Sequence, residues 1–346
     1  MSSFLSNTGD FFGLDIGTTA VRLVQLRVGA NPKALIKYAY VPLEGNLALS
    51  ESKGDQQKLA QTVAQLVKQA SVNTRNVAVG IPSTRVFTTV ADVDRLSSSE
   101  LSKAIAYQAD SLIPTPLSES KMDWVLIGDS PADKTKQEIL LTSVPNNFVE
   151  RRLDMLESIG LNVIAFEPDN LAMARALAAP SADAQLLLDV GRRATDLVVV
   201  LNGVPHLTRS IPTGVEAIIR AATQNLNIDE KQADQFVFKF GLSKDKLEGQ
   251  VFQSISNTID LLTVEIEKSI KFFQTRYAGT KIDRIIVTGG ASVIPEFPLY
   301  VANKFGVNVE IGNAWQGVTF NRDRQNELLA ISNQFGVAVG LAERTQ

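Results

Sequence analysis

Leu14-Asp15-Ile16-Gly17-Thr18-Thr19-Ala20-Val21-Arg22-Leu23-Val24-Gln25-Leu26 returns without a gap as Leu188-Asp189-Val190-Gly191-Arg192-Arg193-Ala194-Thr195-Asp196-Leu197-Val198-Val199-Val200, with six of thirteen paired positions identical (Leu, Asp, Gly, Ala, Leu and Val). In each copy a short apolar strand reaches an Asp, turns at a Gly and leaves on a second strand rich in β-branched residues, the pattern of a hairpin. The turn glycines Gly17 and Gly191 permit positive φ and let backbone N–H groups approach a phosphate closely. The hydroxyls of Thr18, Thr19 and Thr195 add donors. An Asp at the strand end suits a hydrated Mg²⁺, which keeps most of its waters and takes one or two carboxylates. A single Asp-x-Gly is ordinary turn punctuation. Repeated in register, it predicts two phosphate-gripping hairpins, with Asp15 and Asp189 facing each other across a cleft.

A chain of 346 residues exceeds the size at which one core stops growing, so two lobes are expected. The net charge of −3, without any Lys/Arg-rich run, argues against a nucleic-acid partner. Without cysteine there are no disulfides, thiolate metal sites or Cys nucleophiles, and the composition fits a reducing cytoplasm. The single His206 follows the turn signal Asn202-Gly203 and reads as a structural strand residue. No apolar run approaches a membrane span, and Met1 to Asn7 lacks a basic region before an apolar core. Phe4, Leu5, Phe11 and Phe12 offer too little for stable attachment. A cytoplasmic protein that reaches a membrane only through a partner is the expectation.

Hydrophobic patterning divides the chain into a first-lobe core at 11–83, an inserted subdomain at 84–160, a return to lobe one at 161–180, a second-lobe core at 183–214, a helical insert at 215–279 and a closing segment at 280–346. Lobe one opens with strands at 11–15, 20–27 and 34–42, a helix at 56–70 and a strand at 76–81. The insert carries strands at 86–93, 122–127 and 138–144, a helix after Ser97 that stops before Pro114-Thr115-Pro116, and a helix at 147–159. In lobe two, Ile255, Ile259, Leu262, Ile266, Ile270 and Phe273 keep helical spacing over nearly five turns and predict a long amphipathic helix. A closing helix is expected from about Asn326 to Leu341.

A buried strand at 281–287 runs directly into Thr288-Gly289-Gly290-Ala291. Strand, small residues and then a helix N-terminus would give a flat purine a backbone surface and positive potential. Two Asp-x-Gly hairpins followed by this Gly-Gly loop resemble the actin-like ATPase superfamily over nearly the whole chain. The resemblance implies an α/β fold of two RNase H-like lobes, with ATP and Mg²⁺ between them. An insert at this point of lobe one is similar to the relocated subdomain of the FtsA branch, and lobe two would carry the small helical insert.

Leu96-Ser97-x-x-Glu100-Leu101-x-x-Ala104-Ile105-x-x-Gln108-Ala109, Ile113-Pro114-x-Pro116, Asp123-Trp124, Arg209-Ser210-Ile211-Pro212-Thr213-Gly214, Glu265-Ile266-x-Lys268-Ser269-Ile270 and Gly340-Leu341-Ala342 resemble the type IV pilus assembly proteins of the PilM family. That resemblance implies a protein beneath the inner membrane. It would capture the short N-terminal cytoplasmic tail of a PilN-like bitopic protein in a groove between lobe one and the relocated subdomain, near Val86, Ile105, Tyr107, Ile113 and Leu117. It also implies contact with the pilus motor ATPases and platform protein, and leaves a homodimer open. By position it assigns Asp15, Gly17, Thr18, Thr19 and Arg22 to the first phosphate motif, Asp189, Gly191 and Thr195 to the second, and Gly289, Gly290 and Ala291 to the adenosine loop; Arg192, which departs from the family at the second turn, either binds phosphate through its side chain or crowds it. Asp15 and Asp189 would hold Mg²⁺ through water, and Glu265 and Lys268 would touch the nucleoside. Glu167, before Pro168, takes the place of a Glu-Pro pair that heat-shock chaperone ATPases hold near the Mg²⁺ waters, which makes it the candidate general base.

Three departures stand out. Arg22 replaces the usual Lys, Arg192 and Arg193 replace small polar residues, and Gly214-Val215 lacks a second Gly. ATP binding with little or no hydrolysis is the expected activity. The alternatives are a sugar or acetate kinase, which shares the Asp-Ile-Gly-Thr-Thr opening, and an FtsA-like division scaffold. An FtsA-type scaffold carries an amphipathic membrane helix at its C-terminus, whereas Glu343-Arg344-Thr345-Gln346 follows the last core helix directly.

Overall fold

The computed structural model describes residues 9–345. Lobe one begins with the antiparallel strands β1 (Phe12–Ile16), β2 (Ala20–Leu26) and β3 (Lys33–Pro42); helix α1 (Lys53–Ala70) then leads to β4 (Asn76–Ile81), parallel to β1. Ser52 caps α1 by accepting the Asp55 N–H, and Leu59, Val63 and Leu66 recur every three to four residues to bury one face on the sheet.

The inserted segment forms β5 (Phe87–Asp94), α2 (Ser98–Leu112), β6 (Ser120–Asp129) and β7 (Lys136–Pro145). The strands make an antiparallel sheet in the order β5-β7-β6. Ser97 and Glu100 close a reciprocal capping box at the start of α2, whose Leu101 and Ile105 pack on Ile139 and Leu141. The next helix, α3 (Asn146–Glu157), departs from the expected division. Its Met155 and Leu156 are buried with Leu59 and Val63 of α1, so α3 packs as part of lobe one.

Strand β8 (Asn162–Pro168) pairs parallel to β4 and is followed by α4 (Asp169–Leu177). Lobe two repeats the plan with β9 (Ala184–Val190), β10 (Thr195–Leu201) and β11 (Val204–Ile211), then helices α5 (Val215–Leu226), α6 (Glu230–Phe240) and the 27-residue α7 (Gln250–Arg276). Strand β12 (Ile282–Thr288) lies parallel to β9, and α8 (Phe297–Phe305) and β13 (Asn308–Ile311) complete the lobe. The chain then returns to lobe one, where β14 (Val318–Thr319) pairs with β3. The sheet orders are β14-β3-β2-β1-β4-β8 and β11-β10-β9-β12-β13.

The expected single closing helix is broken. It runs as α9 (Gln325–Ile331), a 3₁₀ turn at Ser332–Gln334, and α10 (Gly336–Ala342). Helices α4 and α10 sit between the lobes, where Met173, Leu177, Phe335 and Val339 pack against Val24 of lobe one and Leu187 and Val198 of lobe two. Gly340 makes that crossing possible, because a Cβ there would fall on the Ala172 carbonyl.

Candidate functional site

The two repeated hairpins have the same backbone geometry. Gly17 N–H donates to the Ala20 carbonyl at 3.0 Å, and Gly191 N–H to the Ala194 carbonyl at 2.9 Å. In the first, Asp15 stands opposite Arg22, and their side chains pair at 3.2 Å. In the second the register sets Asp189 opposite Asp196, so a carboxylate occupies the place of the cation. Both turns open on one cleft of about 430 Å³ between the lobes, lined by Asp15, Gly17, Thr18, Thr19 and Arg22 on one side and by Asp189, Gly191, Arg192, Arg193 and Asp196 on the other.

The third glycine element reaches the same cleft. Parallel pairing of Thr288 with Asp189 sets Gly289 beside Val190, at φ 76°. A Cβ at Gly289 would collide with the Asp189 carboxylate and the Val190 carbonyl, so glycine is required there. The expected helix N-terminus is absent at this point. Gly290–Val293 form a single 3₁₀ turn, anchored by the Asn333 amide, which donates to the Gly289 carbonyl at 3.3 Å and to Ser292 Oγ at 2.7 Å. The break in the closing helix is what puts Asn333 and Gln334 on the cleft wall.

Several assigned residues lie elsewhere. Thr195 is fully buried and donates to the Thr213 carbonyl at 2.7 Å, and Ala291 is buried in the lobe-two core; neither lines the cleft. Glu265 accepts from Lys268 at 2.6 Å and from Arg209 at 3.0 Å. Lys268 lines a different groove, of about 520 Å³, between β5 of the insert and β11 and α7 of lobe two. Glu167 turns away from the cleft, pairing with Arg175 and, at 3.1 Å, with Arg344. The carboxylate that does face the cleft is Asp169, two residues on at the start of α4, with its Oδ1 buried and without a partner. Of the groove candidates, Ile105 and Ile113 are core residues, Leu117 packs partly against the same cluster, and Tyr107 is 91% exposed.

Four carboxyl groups thus crowd the cleft. Burial, reinforced by Asp196 and Asp15, pushes Asp189 up to about 7. Burial and the charges of Asp15, Asp196 and Asp189 hold Asp169 well above the usual carboxylate range, with Arg152 opposing. Burial also raises Asp15 against the pull of Arg22. Among the described residues no three such groups converge closely enough to ligate a metal directly. Mutually repelling carboxyls, two of them (Asp169 and Asp196) with a buried unpartnered oxygen, fit a cation held through its water shell.

The second turn's arginines are held rather than free. Arg192 pairs with Asp234 at 3.2 Å and Glu230 at 3.4 Å on α6, while Arg193 pairs with Glu216 at 3.4 Å and reaches across to Asn46 of lobe one. The first N–H groups of α5 are also spent, because Val215 and Glu216 donate to the Gly191 and Arg192 carbonyls at 2.9 and 2.8 Å.

Two hairpins and a glycine loop around an interlobe cleft, with paired helices crossing between the sheets, define an actin-like ATPase fold. EutJ, an ethanolamine utilization protein from Carboxydothermus hydrogenoformans, shares it with a TM-score of 0.56 at 14% identity over 97% of this chain and 90% of that one. MreB5 of Spiroplasma citri, solved with AMPPNP, gives 0.53 at 13% over 96% and 95%. A solved PilM–PilN type IV pilus biogenesis complex contains a chain similar at TM-score 0.83 and 23% identity over 97% of this chain and 98% of that one. The family described as type IV pilus assembly protein PilM matches residues 13–346, and the chain belongs to it.

Proposed function

We propose that this protein binds ATP–Mg²⁺ between its lobes and captures the short cytoplasmic tail of a PilN-like bitopic membrane protein, as a cytoplasmic component of the type IV pilus assembly platform. Family membership supports the role in pilus assembly, and the similar solved complex supports a PilN-type partner. Among the described residues no helix is long and apolar enough to cross a membrane, which suits attachment through a partner. The observation that carries the nucleotide reading is the convergence of both repeated hairpins and Gly289 on one cleft.

In that cleft the Gly17 and Gly191 turns and the Thr18 and Thr19 hydroxyls grip the phosphates, with Arg22, Arg192 and Arg193 supplying charge. Asp15 and Asp189 hold the waters of Mg²⁺, and Gly289 and Gly290 back the adenosine. Mg²⁺ supplies neutralisation of the phosphate and carboxylate charges. Binding to both lobes favours the closed arrangement, which alters the junction that receives the tail. The nucleotide acts as a clamp, with turnover slow or absent.

The test is anisotropy of a labelled peptide copying the N-terminal cytoplasmic tail of a PilN-like bitopic protein, with and without ATP–Mg²⁺. Saturable binding that Asp15→Ala changes through loss of nucleotide supports the reading. No binding in either state refutes it and directs the search to phosphotransfer onto small substrates.

A further inference from the structure

Beside the main cleft, at the junction of lobe one with the inserted segment, two guanidinium groups share one carboxylate and a third is buried beside them. The cavity there is lined by the Ala48–Glu51 loop and Gln56 of lobe one, and by Arg85, Phe148, Arg151 and Arg152. Glu51 is gripped by both nitrogens of Arg151, at 3.0 and 3.1 Å, and lies 3.7 Å from Arg85. Arg85 and Arg152 lie 5.8 and 5.6 Å from the centroid of the Phe148 ring. Arg152 is 4% exposed; its Nη2 donates to the Ala48 carbonyl at 3.3 Å, while its Nη1 has no partner. Burial pushes this guanidinium down to about 10, against the attraction of Asp169.

Arg85 and Arg151 share the single carboxylate of Glu51, and buried Arg152, which only Asp169 attracts, keeps one nitrogen without a partner. Such a surplus of planar, paired donors suits a carboxylate, and Glu51 already demonstrates the geometry. We propose that Glu51 is a placeholder, and that this junction receives an acidic side chain of the captured tail on Arg85, Arg151 and Arg152. The assignment rests on the tail-capture reading above and names the chemistry of the partner at its docking point. The cavity is about 20 Å³, room for about one water, so the incoming carboxylate enters by displacing Glu51, whose side chain is 53% exposed. Leu49 and Pro82 line both this cavity and the nucleotide cleft, and Arg193 of the second turn reaches Asn46 at the start of the same loop. Occupancy of the cleft is therefore felt at the junction.

The experiment titrates the labelled tail peptide into the full-length protein, its Arg85→Ala/Arg151→Ala double variant and Glu51→Gln, alongside a peptide whose Asp and Glu residues are replaced by Asn and Gln. Both arginines are more than two-fifths exposed, so the double variant keeps the fold. Losing charge-assisted paired hydrogen bonds weakens binding about tenfold to hundredfold. The neutralised peptide shows the same loss on the wild-type protein and no further loss on the double variant. Glu51→Gln tightens binding severalfold, a gain that a merely structural role for Glu51 would not give. Unchanged affinity in the double variant, or full affinity for a peptide without acidic residues, overturns the assignment and leaves tail capture standing. A wild-type protein that binds no tail overturns both.

Discussion

Arg276, at the end of α7 in lobe two, donates from Nε to Glu138 on β7 of the inserted sheet at 2.6 Å and from Nη2 to Asp92 on β5 at 2.8 Å. Tyr277 donates its hydroxyl to the other Glu138 oxygen at 2.9 Å, and Glu138 is completely buried. In Arg276→Met the apolar stem remains but Glu138 is left in the interior with the tyrosine alone. Removing one partner of a buried pair costs about 3–5 kcal/mol. The Arg276 side chain is 30% exposed, and water admitted there trims the figure to about 2–4 kcal/mol. Glu138→Gln keeps one acceptor, its amide oxygen toward Arg276 Nε, and turns an NH2 donor toward the Tyr277 oxygen, so it loses the charge and one acceptor, for about 1–3 kcal/mol. Urea unfolding of both single variants and the double variant, followed by fluorescence, gives the coupling energy, expected above about 1 kcal/mol because the residues touch. Limited proteolysis of the inserted segment reads the same loss locally. An Arg276→Met cost below about 0.5 kcal/mol, or zero coupling, would refute the claim that this contact holds the insert to lobe two.

Gly289→Ala places a methyl on the Asp189 carboxylate at a φ that alanine tolerates poorly, so affinity for a fluorescent ATP analogue falls more than about tenfold while the circular dichroism spectrum is retained. Asp189 is raised to about 7, so the nucleotide-free protein binds more protons folded than unfolded; from about pH 4 to 7 its contribution to stability falls as pH rises. Adding Mg²⁺ and nucleotide near pH 6.5 should release protons, measured as a buffer-dependent calorimetric enthalpy, and Asp189→Asn should reduce that release. Asp169→Asn should alter Mg²⁺-dependent nucleotide binding, whereas Glu167→Gln, which disturbs the contacts with Arg175 and Arg344, should lower thermal stability and leave that binding unchanged. The reverse pattern would restore Glu167 to the cleft.

The hairpins were legible because the repeat combines a strand period, a required glycine and a charge in fixed register. That register also carried Asp196, which stands seven residues after Asp189 just as Arg22 stands seven after Asp15, so the missed carboxylate was readable in principle. Asp169 was harder to see. A strand ending in Glu167-Pro168 leaves open which of Glu167 and Asp169 faces the cleft, and here the start of α4 settles it. Glu265 and Lys268, which do not line the cleft, show a related limit of spacing. A helix of 27 residues is about 40 Å long, so helical spacing fixes which side of α7 is buried but not which part of it reaches the ligand. The break at Ser332–Gln334 left no trace in the apolar spacing, since Leu328, Phe335 and Val339 remain buried on both sides of it.

A clamp between the lobes can influence a distant partner only through an element whose position depends on both of them. The insert meets that condition. At its lobe-one end it continues into α3, which is packed on α1, and it borders the arginine junction. At its lobe-two end Arg276 and Tyr277 hold Glu138 and Asp92. A change in the angle between the lobes must therefore move the insert, strain one of these attachments, or open the junction. Whatever free energy nucleotide gives to tail capture, the tail must give back to nucleotide binding, because coupling between two binding sites is reciprocal. Arg276→Met cuts one attachment without touching either site. It should bring the two affinities, each measured with and without the other ligand, toward independence by the same factor.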